Sequence, residues 1–189
     1  MSTEYLDNFE RGIEFGLSTF LRQRGRMDER KMDMPDIEDK WRSIAEAYVS
    51  DGVREFQGYP LVSLGWMMYV GMAVAKMWDT DWEGALKKEN LYTYLRELRG
   101  YDCMDEAIRD TILQLKGEDY AAEEKLVGDC AQMVLNHIRR EQIEPSTPMA
   151  YHAYIRALHQ LYLIGAATEL YRLGYRMTKA NPHPLTVEA

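Results

Sequence analysis

Apolar residues recur along this chain at spacings of three and four, the period of an amphipathic helix, and no alternating stretch is long enough to specify a strand. From Thr3 to Arg24, residues Tyr5, Leu6, Phe9, Ile13, Leu17, Phe20 and Leu21 make one apolar stripe, and Gly25 ends it. The polar run from Arg26 to Pro35 reads as a loop. Pro35 and Asp36 then open a second helix reaching Phe56, with Ile37, Trp41, Ile44, Ala45, Tyr48 and Val53 on its inner side. Gly58-Tyr59-Pro60 breaks the chain before a third helix, Leu61 to Trp78, which is apolar on nearly every face and is expected at the centre.

Asp79 to Gly84 reads as a turn, Leu86 to Leu98 as a fourth helix stopped by Gly100, and Asp102 to Leu115 as a shorter fifth. A sixth, Glu118 to Glu141, turns Leu126, Val127, Cys130, Met133, Val134 and Ile138 inward. After the break at Glu144-Pro145-Ser146-Thr147-Pro148, the last helix runs from Pro148 to Thr178 and leaves only a narrow polar stripe through Arg156, Gln160, Arg172 and Arg176. Gly165-Ala166-Ala167 and Gly174 lack bulky side chains, so a neighbouring helix is expected to approach closely there. The prediction is an all-α fold: an irregular bundle of six or seven helices in a single domain over residues 1–180, with a mobile tail over 181–189.

Composition agrees with one globular domain, since 189 residues with 46% hydrophobic and 29% charged positions can bury a core. The net charge of −8 changes the functional picture. It concentrates between Asp79 and Asp129, where fourteen acids stand against seven bases, and such a segment repels phosphate backbones. A nucleic-acid partner is therefore not expected. Met1 to Arg11 carries three acids and no apolar run after a basic start, so the chain is expected in the cytoplasm. Cys103 and Cys130 form no CxxC pair and are expected as reduced core thiols.

Several features are candidates for chemistry. Leu61 to Trp78 has the length of a membrane span, but Lys76 lies inside the run and two glycines dilute it, so a buried core helix is the preferred expectation over a membrane partner. The same helix concentrates polarizable and aromatic groups, and Trp66, Met67, Tyr69, Met72 and Trp78 are the candidate lining of a small-molecule pocket, unless they simply pack as core. Asp79-Thr80-Asp81-Trp82-Glu83-Gly84 matches the first half of a calcium loop. Position twelve is Asn90, however, where a bidentate glutamate is required, and an ordinary acidic turn is expected. The basic cluster Arg22, Arg24, Arg26, Arg30 and Lys31 follows a helix C-terminus, where positive charge is favoured in any case.

If the last two long helices fold back on each other about Pro145, residues whose numbers share a sum face across the hairpin. That pairs His137 with His152 and Cys130 with His159, two levels about 10 Å apart. Glu141 lies one turn beyond His137, so His137, Glu141 and His152 make a candidate site for zinc or iron; otherwise no cofactor is expected. Glu-x-x-His, His-Glu-x-x-His, a phosphate-binding glycine loop and a nucleophile elbow are all missing. The leading functional expectation is thus a non-enzymatic binding module meeting a protein partner or itself through an acidic helical surface. The alternative is a small-molecule binder or enzyme using a pocket beside the third helix, or the histidine–glutamate metal site.

Overall fold

A computed structural model describes residues 2–177. Among them are eight helices and no strand, as the periodicity predicts. They are α1 (Ser2–Gln23), α2 (Pro35–Asp39), α3 (Trp41–Gly58), α4 (Pro60–Leu86), α5 (Leu91–Arg99), α6 (Met104–Ala107, continuing as a π turn over Ile108–Ile112), α7 (Gly117–Arg140) and α8 (Pro148–Arg172). The tail expected at 181–189 lies outside the described residues.

α4 is the axis of the bundle: from Ser63 to Ala75 all residues but Trp66 are buried, because α8 crosses one side of it while α3 and α7 pack on others. α8 is enclosed in the same way, with every residue from Gln160 to Leu170 buried. α1 lies along α8 and turns Leu6, Phe9, Ile13, Leu17 and Leu21 inward. Pro60–Leu86 is the one helix among the described residues long and apolar enough to cross a membrane by length and composition, with a mean hydropathy of 1.3; 67% of that window is enclosed by the rest of the fold.

Four expectations are corrected. The predicted second helix is broken at Lys40, because the Ile37 carbonyl that would accept the Trp41 amide instead accepts the Lys40 amide (3.2 Å) and the Tyr162 hydroxyl (2.6 Å). Asp79 to Gly84 is not a turn: helix continues to Leu86 through a kink at Asp81 (φ −161°, ψ 82°), whose carboxylate accepts the Gly84 amide at 3.0 Å and so caps the second segment. Asp79 accepts the Tyr175 hydroxyl at 2.6 Å and Asn90 caps α5 through the Thr93 amide at 3.0 Å, so the residues of the supposed calcium loop serve three separate purposes.

The predicted fifth helix widens into a π turn, where the Leu113 amide reaches back to the Ile108 carbonyl (2.8 Å). Arg109, at its start, is held inside by the Asp105 carboxylate (3.0 Å) and Glu124 (2.9 Å), between the rings of Tyr69 and Tyr120. Finally, α8 stops at Arg172. Gly174 has φ 102° and no neighbour within 4 Å of a built Cβ, so it closes the helix rather than admitting a partner: the Tyr175 amide bonds the Leu170 carbonyl and the Gly174 amide that of Tyr171.

Candidate functional site

A cavity opens at one end of the bundle, where four helix ends diverge. The last turn of α3 gives Phe56 and Gln57, the start of α4 gives Pro60, and the end of α7 gives Leu135, Ile138 and Arg139. Gln142, Ile143 and Pro145 come from the α7–α8 connection, and Ala150, Ala153 and Tyr154 from the first turns of α8. Together they enclose about 340 Å³. The neighbouring structure fixes this shape. Thr147 accepts the Ala150 amide (3.1 Å) and donates to the Glu144 carbonyl (2.7 Å), which sets where α8 begins. Gln142 (φ 51°) and Ser146 (φ 63°) both take the left-handed conformation, which lets the short connection turn over the cavity.

Beneath it lies a buried hydroxyl network. The Ser63 hydroxyl donates to the Gly52 carbonyl (2.8 Å), so the Tyr154 hydroxyl, 2.5 Å away, donates to Ser63. Tyr48 donates to the Ser63 carbonyl (2.5 Å), so the 3.3 Å contact with Tyr101 has Tyr101 as donor. Gly52 is required at this point, since a Cβ there would stand 2.4 Å from the Tyr154 hydroxyl oxygen and 2.5 Å from the Tyr48 ring. Burial raises the hydroxyl pKa of both Tyr48 and Tyr154, so both stay neutral donors. The Tyr154 ring, tilted against Phe56 with ring centres 5.1 Å apart, faces the cavity from this anchored base.

The polar lining is sparse: Gln57, Arg139 and Gln142. Arg139 is the one charged residue in it, and its side chain has no hydrogen-bond, ion-pair or ring partner among the described residues. No carboxylate lines the cavity.

A second polar cluster joins α1 to α8. Glu10 accepts from Arg156 (2.7 Å), the Nδ1 of His159 (2.7 Å) and the Gln160 amide (2.8 Å), while Arg156 also reaches Asp7 at 2.8 Å. Burial alone would raise the Glu10 pKa, but these three donors overturn it and hold the carboxyl at about 2. Trp41 stacks on His159 at 5.0 Å. Gln160, expected in the polar stripe of the last helix, is buried, and its side-chain amide oxygen has no partner among the described residues.

The residues singled out from the sequence do not converge. Met67 and Met72 are fully buried and Tyr69 nearly so, all within the packed core. Trp66 donates its indole N–H to the Tyr101 carbonyl (2.7 Å) and Trp78 to Asp36 (3.0 Å). Trp78 borders a small cleft of about 50 Å³ with Met32, Met34, Ile37, Leu170 and Tyr175. His137 lies against Phe9 (5.2 Å) and Gly12, its Nε2 buried without a partner among the described residues. Glu141 accepts the Tyr5 hydroxyl, and His152 is exposed beside Tyr151. Among the described residues no three His, Cys, Asp or Glu side chains stand close enough to hold a metal ion. His159 pairs with Glu10 on α1, and Cys130 is buried, whereas Cys103, expected in the core, is exposed.

The basic cluster is dispersed as well. Arg22 bonds the Asp28 carbonyl, Arg24 lies over Phe20, Arg26 pairs with Glu123 and Lys31 with Glu14. Sequence reasoning missed the cavity because its lining comes from four separated segments, and only the Pro60, Pro145 and Pro148 breaks, which place helix ends, marked that region. No family model, curated protein or solved structure matches the chain.

Proposed function

We propose that the protein binds a small, mainly apolar molecule in the cavity between the ends of α3 and α7 and the starts of α4 and α8. The volume of about 340 Å³ carries this reading, because it falls in the range of ligand sites and is walled by aromatic and aliphatic side chains with a few polar groups at fixed places. It is room for about eleven molecules of water at their liquid share of about 30 Å³ each, so a ligand of similar non-hydrogen atom count fits. The anchored Tyr154, tied down through Ser63 and Gly52, supports a preformed wall.

Small-molecule binding is preferred to a protein-docking module for a geometric reason. The large exposed apolar side chains are Phe15 on α1, Tyr59 and Leu61 around the start of α4, Leu86 at its end, and Tyr151 on α8. Leu61 and Leu86 stand at opposite ends of α4, whose segment before the Asp81 kink is by itself about 30 Å long, so these five residues cannot all belong to one contiguous patch of the kind a protein interface of ordinary size requires.

The test is a methyl-resolved NMR titration with 1-octanol. Shift changes confined to Leu135, Ile138, Ile143, Ala150 and Ala153, and abolished by Ala150→Trp, are expected. No saturable shift at these methyls, or identical titration of the Ala150→Trp protein, overturns the proposal.

A further inference from the structure

We infer that the ligand of this cavity is an amphipathic monoanion, an organic carboxylate with an apolar chain of about seven to nine carbons, whose acidic end is taken by Arg139. This rests on the cavity being a ligand site. The chain has 31 acidic residues and a net charge of −8, yet the cavity lining contains no carboxylate and one cation. That cation is not already used. Arg22, Arg26, Arg96, Arg99, Arg109, Arg156 and Arg172 are all tied to backbone or carboxylate oxygens, whereas the side chain of Arg139, like those of Arg11, Arg30 and Arg54, meets no acid and no ring among the described residues; of these four, Arg139 is the one that lines the cavity. Its planar guanidinium offers paired N–H groups that match a carboxylate bidentately.

The rest of the wall decides the other end of the ligand. Gln57 and Gln142 are the remaining polar groups, and both are exposed, so polar recognition is confined to the mouth. Inward of it stand Leu135, Ala153 and the Tyr154 ring, and the Tyr154 hydroxyl is already committed to Ser63. Nothing in that interior rewards a buried polar group on a ligand, while an unpaired one is penalised. A head that is charged and a tail that is bare follow from the two halves of the lining.

Isothermal titration of the full chain with octanoate and with octanamide, which have the same number of non-hydrogen atoms and differ in charge, tests the inference. Octanoate is expected to bind the parent about tenfold more tightly than octanamide at low salt. Arg139→Gln should remove that preference, leaving octanamide within twofold of its parent value, and Arg139→Lys should restore part of it. Raising ionic strength should weaken octanoate alone, since the arginine stands at the solvent-exposed mouth. Equal binding of the two probes to the parent, or an Arg139→Gln protein that keeps the preference, overturns the anion assignment and leaves the cavity standing. Failure of both probes to bind overturns the cavity as a ligand site, and the anion assignment falls with it.

Discussion

Gly71 of α4 and Gly165 of α8 stand where the two central helices cross, each pressed on the other's backbone: a Cβ on Gly71 would lie 2.1 Å from the Tyr162 carbonyl oxygen, and one on Gly165 would lie 2.2 Å from that of Met68. Neither obstacle is a flexible side chain, so the helices themselves must separate to admit a methyl group. Gly71→Ala and Gly165→Ala are each expected to lower stability by about 2–4 kcal/mol despite the gain in helix propensity. Gly128→Ala, on α7 with open space around it, is the control and should be neutral or slightly stabilising. Chemical denaturation of the three variants checks this.

The carboxyl of Glu10, held at about 2 against an ordinary 4.5, ties α1 to α8. Because its folded pKa is depressed, the stabilisation is complete above pH 4.5 and is lost as pH falls from there towards 2. The shift corresponds to about 3 kcal/mol. Glu10→Gln should therefore be less stable than the parent at pH 7 and converge with it near pH 2, as measured by urea unfolding at successive pH values.

His137 acts in a different window. Burial against Gly12 and Phe9 lowers its pKa, with Arg140 adding to the effect and Glu141 opposing it. The fold thus favours the neutral ring, and stability is expected to decline as pH falls through the unfolded-state value of 6.5. His137→Leu should flatten the stability profile between pH 7 and 5 while leaving the Glu10 loss intact. An NMR titration placing His137 at or above 6.5 would contradict it.

Ser63 sits at the meeting of three helices. Ser63→Ala leaves the Tyr154 hydroxyl unpaired inside the protein, removes the second bond on the Gly52 carbonyl, and should destabilise by about 2–3 kcal/mol. Tyr154→Phe keeps the bond from Ser63 to Gly52 and should cost about 1 kcal/mol. Reversal of that order in thermal unfolding would mean that the network is not arranged as described.

Element existence was legible in the sequence; the breaks inside elements were not. The stripe of α1 and the enclosure of α4 follow directly from the spacing of Leu6, Phe9, Ile13 and Leu17 and from the unbroken run after Pro60. The Lys40 break and the Arg109 π turn depend on Tyr162 and Glu124, partners distant in sequence that no local pattern announces. The histidine hairpin failed for a related reason. Counting back from Pro145 sets the level of a residue but not its rotation, and rotation turned His137 and His159 towards α1 and left His152 outside. Gly165 was read correctly as a point of close approach, and its partner Gly71 was visible only as a dilution of apolar character.

The crossing of α4 and α8 also has a consequence in time. Gly165 follows Gly71 by 94 positions, and α8 covers more of α4 than any other helix does. At a ribosomal rate of about 5–20 residues per second, α4 leaves the ribosome about 5–20 s before its cover exists. During that interval the nascent chain displays a helix with the length and hydropathy of a membrane span. The birth of this protein, rather than its finished form, is when chaperones and targeting factors have the most apolar surface to recognise.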